Sequence, residues 1–286
     1  GAILANTGLH RPPLRTGTHF AAHRLLRIAV VLLGLQLALP QLAHLGAKGL
    51  GIVLVTVAVT FSGTQLLGRL LGISPARSLL VATGFSICGA SAVAAMEPVA
   101  GGKKEDTGVA IALVTLCGSL AILILPLLRS PLGLDVTSFG SWVGASVHDV
   151  GQTVATANRV PGALTTAVVV KLTRVVLLAP LVIGVSLARQ HRGTADPAAR
   201  RIVPVPLFVL GFLAAVAIRS SGALPDGLLH GAKTLQEILL AAALVGLGTG
   251  IHLPTLWRTG GRSVILGLAS WILVAAVAYL GVRLVG

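Results

Sequence analysis

Two cations stand at i and i+3 in the apolar run Ala167-Val-Val-Val-Lys171-Leu-Thr-Arg174-Val-Val-Leu-Leu178. On a helix they share one face, and about eight and eleven residues into a hydrophobic span they lie too deep to snorkel to either surface. They need negative charge, from Asp149, Glu97, Glu237 or a bound anion. Arg174 offers a planar fork suited to sulfate, sulfonate or carboxylate oxygens, and Lys171 a point charge. The expectation is that Arg174 makes directional contacts to an anion while Lys171 supplies field. An Arg174–Asp149 ion pair with no ligand leaves the same sequence and stays open at this point.

A second polar tract, Gly144-Ala-Ser146-Val-His148-Asp149-Val-Gly-Gln152-Thr, puts an ionisable pair near the middle of another span, where charge is costly unless paired, hydrated or neutral. A structural His148–Asp149 network is the alternative to a site. A third tract, Ser86-Ile-Cys88-Gly89-Ala-Ser91-Ala-Val-Ala-Ala, is small and polar, with Glu97-Pro98 after it. Such a stretch invites a helix break, exposing N–H groups that receive an anion and carbonyls that receive a cation; close helix packing through Gly and Ala is the other reading. The tract is expected to face Gly144–Ser146. Glu237 follows Lys233 by four residues, deeper in its span. Ser86, Cys88, Gly89, Ser91, Ser146, His148, Gln152, Lys171 and Arg174 are thus the candidate substrate-binding residues, with Asp149, Glu97 and Glu237 as coupling or ion-pair groups.

The elements that carry these residues are set by composition. With 55% hydrophobic and 10% charged residues in 286 and a mean hydropathy of +0.93, there is too little polar surface to cover a soluble globule. The apolar runs are long and do not alternate, which excludes an outer-membrane barrel; the backbone must be satisfied within helices. The formal charge of +14 is scattered between apolar runs with no aromatic partners, so nucleic acid is not expected. Cutting at charges, prolines and glycines gives nine spans, roughly 24-42, 49-71, 76-99, 107-128, 138-157, 163-188, 204-220, 229-250 and 262-285. The opening Gly1–Asn6 reads as the end of a further helix, giving an all-α bundle of ten to eleven spans in a single membrane domain, 1-286. Cys88 and Cys117 read as small hydrophobes, and the remaining histidines lack ligand spacing, so no metal or cofactor is expected.

Positive charge places Arg11, Arg15, Arg24, Arg69, Arg77, Arg129, Arg189, Arg192, Arg200, Arg201, Arg258 and Arg262 on a cytoplasmic side, and Lys48, Lys103, Lys104, Arg159, Arg219 and Arg283 opposite, so the C-terminus is expected outside the cytoplasm. Two internal similarities appear. Gly89–Ser91 with Leu125-Pro-Leu127 matches Gly144–Ser146 with Ala179-Pro-Leu181, at offsets of 55 and 54. Leu33-Gly-Leu35, Pro40 and Gly49 match Val245-Gly-Leu247, Pro254 and Gly261, seven spans later and inverted. The two disagree in direction unless one segment is re-entrant.

Ser86-Ile-Cys-Gly-Ala-Ser-Ala-Val-Ala-Ala, Gly144-Ala-Ser-Val-His-Asp-Val-Gly-Gln-Thr-Val-Ala and Val170-Lys-Leu-Thr-Arg-Val-Val-Leu-Leu-Ala-Pro resemble the YeiH-like family of proposed sulfate exporters, over essentially the whole chain. Where the family has Glu-Val-Ala-Gln after the histidine, this chain has Asp149-Val-Gly151-Gln152. The resemblance implies an inner-membrane protein of about eleven helices exporting sulfate or a related sulfur oxyanion, with a helix pair preceding the first span here. A more distant similarity is to the bile-acid, arsenite and riboflavin transporter superfamily, with inverted halves and crossing broken helices. An anion channel and, less favoured, an intramembrane hydrolase using Ser91, Ser146 and His148 are the competing classes; neither serine tract has the Gly-x-Ser-Gly form. Without a nucleotide motif, any uphill transport must be coupled to an ion gradient or driven by a partner outside this chain, with a proton favoured by His148, Asp149 and Glu97 and sodium the alternative. The chain could also self-associate.

Overall fold

The computed structural model describes residues 12–36, 46–191, 207–249 and 261–285, and every regular element among them is helical. The Gly1–Asn6 turn and the Pro40 and Pro254 matches lie outside the described residues. Four helices are long and apolar enough to cross a membrane: Gly46–Leu70, Lys104–Leu128, Leu164–Gln190 and Gly261–Leu284. The chain divides into two units, 1–42 with 179–258 and 43–178 with 259–286.

The first unit holds α1 (Pro12–Phe20), a π-helical turn (Ala21–Leu25), α2 (Leu26–Gly34), most of α10 (Leu178–His191), α11 (Leu207–Ser220) and α12 (Asp226–Gly248). Gly34 lets the Phe212 carbonyl and Ala215 approach α2, Gly211 meets Val31, and Gln36 donates to Gln236. Glu237 is exposed on α12 of this unit.

The second unit is built around α3 (Gly46–Leu70), α6 (Lys104–Leu128) and α13 (Gly261–Val285), each of 25 residues, or about 37 Å at 1.5 Å per residue. Between them lie shorter pieces: α4 (Pro75–Ser86), α5 (Ala90–Ala100), α7 (Val136–Ser146), α8 (Val150–Ala157) and α9 (Leu164–Val176). At 12 and 11 residues, α4 and α7 reach only about 16–18 Å, half the depth of their neighbours.

Neither broken segment crosses. At the base of α4, Arg77 Nε lies 2.7 Å from Asp106 Oδ1 at the start of α6, and a Cβ on Gly102 would sit 2.9 Å from Ala76 Cβ. The chain therefore runs inward along α4, turns at 87–89 and returns along α5 to its starting end. At the other break, a Cβ on Gly162 would sit 3.2 Å from Val136 Cγ1, so α8 and the turn after it bring the chain back beside the start of α7. Helix α13 fixes the end from which each hairpin starts: Ser263, near the beginning of α13, accepts from Arg77 Nη1 at 3.2 Å, whereas Tyr279 donates to the Leu132 carbonyl before α7 at 3.4 Å. Sixteen residues of helix separate these contacts, about 24 Å. The hairpins α4–α5 and α7–α8 come in from opposite ends of the unit and meet tip to tip.

Local sequence explains the parts. Ser74 caps α4, accepting from the Arg77 N–H at 3.3 Å, with Pro75 at the first helical position. Asp135 caps α7, accepting from the Ser138 N–H at 2.8 Å and hydroxyl at 3.0 Å; these bonds hold its carboxyl below the ordinary value. Gly140 and Gly144 allow α7 to lie directly on the Ala163 and Ala167 carbonyls of α9 and its approach.

Three expectations are corrected. The segments 76-99 and 138-157 are re-entrant hairpins and not full spans, because each half-helix is half the required length and each limb ends beside its own start. The breaks at 87–89 and 147–149 lie 60 residues apart, and the matched tracts are not equivalently placed: Gly89–Ser91 stands at the start of α5, whereas Gly144–Ser146 ends α7. Reversal within the hairpins also moves Lys103 and Lys104 to the Arg69, Arg77 and Arg262 end, and Arg129 to the end with Lys48, Arg159 and Arg283. Five basic residues then face four among the described residues of this unit.

Candidate functional site

A helix leaves its last four carbonyls without intrahelical partners, and at mid-depth no bulk water supplies the missing bonds. The C-terminal ends of α4 and α7 present such carbonyls to each other, and α9 supplies the donors. Arg174 Nε lies 3.1 Å from the Ser86 carbonyl, Nη2 2.9 and 2.7 Å from Phe85 and Ser86, and Nη1 2.6, 3.1 and 3.4 Å from Ala145, Val147 and Gly144. Lys171 Nζ adds bonds of 2.9 Å to Ile87 and 2.7 Å to Val147. Both side chains are fully buried. Two helix C-termini, each carrying roughly half a negative charge, thus take the place of the expected carboxylates.

This corrects the sequence reading of the cations. Neither Lys171 nor Arg174 is within ion-pair distance of a carboxylate among the described residues. All three guanidinium nitrogens of Arg174 are engaged by carbonyls, so its fork is not open to an oxyanion in this conformation. Lys171 uses two contacts and has three N–H donors.

The opposite half-helix ends also converge. Asp149 caps α8: its Oδ1 accepts the Gly151 N–H at 2.8 Å, and Gln152 Oε1 accepts the Asp149 N–H at 3.1 Å, completing a capping box. At the start of α5, Gly89 takes φ 69°, and no side chain caps the helix. A Cβ on Gly89 would lie 3.5–3.6 Å from His148 and Asp149 backbone and side-chain atoms, so the tips are in contact. His148 is fully buried, its ring centroid 4.3 Å from that of Phe85, and among the described residues no group meets full hydrogen-bond geometry with either ring nitrogen, the Phe85 backbone being the nearest polar contact.

Several candidate side chains are turned back onto their own helices. Ser86 Oγ donates to Thr83 O at 3.3 Å, Ser146 Oγ to Trp142 O at 2.6 Å, and Ser91 Oγ to Cys88 O at 3.0 Å while lying 2.8 Å from Cys88 Sγ. Ser86 contributes its carbonyl and not its hydroxyl. Glu97 is half-buried on α5, eight residues or about 12 Å beyond Gly89, and so stands away from the tips; Glu237 belongs to the first unit.

The sequence profile described as conserved hypothetical protein 698 matches residues 1–267. The chain belongs to that family. Among relatives of this family member, a UPF0324 membrane protein of Corynebacterium glutamicum is 42% identical over 99% of this chain and 83% of its own. One of Agrobacterium fabrum is 35% identical over 92% of this chain and 76% of its own. A Bacillus cereus UPF0324 membrane protein is 33% identical over 94% and 77%. No solved structure matches. The resemblance to the YeiH-like family agrees with this membership.

Sequence reasoning missed α6 as a wall of the site in this conserved hypothetical protein 698 family member. Gln152 Nε2 reaches the Thr115 carbonyl at 3.4 Å, and a Cβ on Gly118 would collide with the Gln152 amide. Thr115 and Gly118 are the twelfth and fifteenth of 25 residues in α6, which fixes the tips at mid-depth. The small run Cys117-Gly118-Ser119 in the central turns of an apolar helix was a legible signal. Gly118→Ala is expected to displace Gln152 and weaken the cap on α8, lowering stability by about 1–3 kcal/mol; a thermal melt compared with Gly108→Ala, whose Cβ meets nothing within 4 Å, checks it.

Proposed function

We propose that the protein is an ion-coupled secondary transporter of a small anion such as sulfate, sulfite or a sulfonate, with the paired hairpin tips as its binding site. The observation that carries this reading is charge: Lys171 and Arg174 are both fully enclosed, while Asp149 is the one carboxylate among the tip residues 86–91 and 144–153. With His148 neutral, the formal sum is +1 at mid-depth, which an anion neutralises. Two discontinuous helices coming in from opposite ends suit a carrier with inverted halves, and we read α4–α6 and α7–α9 as such a pair.

The anion would meet the uncapped N-terminus of α5, the third N–H of Lys171 and the ring of His148. Asp149 is the natural coupling group. Its protonation would raise the formal charge of the cluster from +1 to +2, so proton and anion binding reinforce each other, and by linkage each increases affinity for the other. A hydrolase is less favoured, since Ser91 and Ser146 donate to carbonyls and not to His148. We extend the reading to a bacterial plasma membrane with the C-terminus outside the cytoplasm.

Oxyanion-dependent melting tests the proposal. Sulfate at 100 times its dissociation constant adds about 2.7 kcal/mol. Lys171→Gln is expected to remove that gain, and Asp149→Asn to retain anion binding while losing its pH dependence. If sulfate, sulfite and short sulfonates all leave the wild-type melt unchanged, the anion reading fails. Saturable uptake into proteoliposomes separates a carrier from a channel.

A further inference from the structure

Among the described residues of the second unit, five enclosed hydroxyls have no hydrogen-bond partner: Thr56, Thr60 and Thr64 on α3, Ser78 on α4 and Ser270 on α13, none more than 3% exposed. Hydroxyls buried elsewhere in the unit behave differently. Thr83, Ser146, Thr153, Thr156 and Thr173 each donate to the carbonyl four residues back, the usual resolution for Ser and Thr inside a helix. The five exceptions are gathered in one seam.

Thr56, Thr60 and Thr64 recur every four residues and share a face of α3. Gly68, next in the series, meets Ser78 of α4 and Leu266 of α13, and Gly63 meets Leu273, so this face looks into the α3–α4–α13 seam. The antiparallel pairing of Gly63 with Leu273 and Gly68 with Leu266 puts Ser270 level with Thr64. Ser78, the fourth residue of α4, lies one turn inside the end that carries Arg77 and Arg262, and Thr56, the eleventh of 25 residues in α3, lies at mid-depth. The hydroxyls therefore descend in order from one end of the unit to the depth of the hairpin tips.

We propose that this seam holds a file of water connecting the Arg77 end to mid-depth, a route by which protons reach the tips. A hydroxyl both donates and accepts, so a series of them can orient water for relay in either direction. Buried water is held by two to four polar groups of this kind. No carboxylate stands on the Thr56–Thr60–Thr64 stripe, and hydroxyls alone are a poor cage for a dehydrated metal cation, which makes water the fitting occupant. The proton role rests on the ion-coupled reading, whereas the water file does not, and the measurements below read the water alone.

Silver ion, small enough to follow water and reactive with thiols, is the probe. In a Cys88→Ala background, Cys117, buried at 1% on α6, serves as the internal reference, and Thr60→Cys and Ser270→Cys are introduced singly. After brief exposure of folded protein in proteoliposomes, denaturation and alkylation count the surviving thiols. The thiols introduced at 60 and 270 are expected to be consumed at least tenfold faster than Cys117; consumption no faster than Cys117 overturns the proposal. A second measurement needs no cysteine: Thr60→Val with Thr64→Val should leave the melting temperature unchanged or lower it, because hydrated hydroxyls lose their water. A rise overturns the proposal, since exchanging two dry, unpaired hydroxyls for methyl groups would raise it by about 4 °C or more.

Discussion

Replacing Arg174 with alanine lowers the melting temperature by about 10 °C. The substitution leaves the carbonyls of Phe85, Ser86, Gly144, Ala145 and Val147, which now receive the guanidinium, without that donor at mid-depth. Removing one side of a buried charged network costs about 3–5 kcal/mol, which for a chain of this size is of the order of 10 °C. Arg174→Lys keeps the charge but replaces a rigid fork with one point donor, so it bonds one hairpin tip or the other and recovers less than half of the loss. Circular dichroism melts of the three proteins in one detergent measure this. An Arg174→Ala protein that melts within 2 °C of wild type shows that the tips are held together without the guanidinium.

Gly144→Ala is the second large effect, and it acts one layer behind the site. A Cβ at 144 would press into the Ala167 carbonyl and approach Val170 Cβ to 2.8 Å, where backbone and a β-branched side chain cannot yield. Helix α7 must then lift from α9, moving the Val147 carbonyl away from both Lys171 and Arg174. A loss of about 3 kcal/mol is expected, together with loss of any ligand-induced stabilisation. Gly108→Ala, the same chemical change on an exposed turn of α6 with nothing within 4 Å, should instead raise stability by about 0.5–1 kcal/mol through helix propensity. Equal melting temperatures for the two variants would show that the α7–α9 crossing is looser than the distances imply.

Much of the site was legible because the residues concerned are rare in their surroundings. Lys171, Arg174, His148 and Asp149 stand out in apolar sequence, and the Ser86–Ser91 and Gly144–Ser146 tracts announce close backbone approach. The cations' partners were not legible. A carbonyl is present at every residue, so nothing in the identities of Phe85, Ser86 or Ala145 marks them as acceptors; they become acceptors because a helix ends there and a guanidinium arrives from a segment 88–89 residues from the first two and 29 from the third. Carboxylates, which do stand out, were assigned that role instead, and Glu97 lies about 12 Å along α5 from Gly89.

The sequence by itself determined that this chain is a helical membrane protein, that buried charge sits at mid-depth, and that the Ser86–Ala95 tract invites a helix break; the second break, at 147–149, it did not mark. Each of the three follows from residue type: transfer free energies sum along the chain, and small or polar residues lower the cost of interrupting a helix. Only the tertiary structure decided that the broken segments turn back, come in from opposite ends and clasp Lys171 and Arg174 with their carbonyls. Hydropathy has magnitude but no direction, so two half-helices folded on each other read as one span of the same length. Direction is chosen by the backbone angles of three residues at each tip and by what packs against the limbs, Gly102 on Ala76 and Gly162 on Val136, contacts between positions that no local pattern joins.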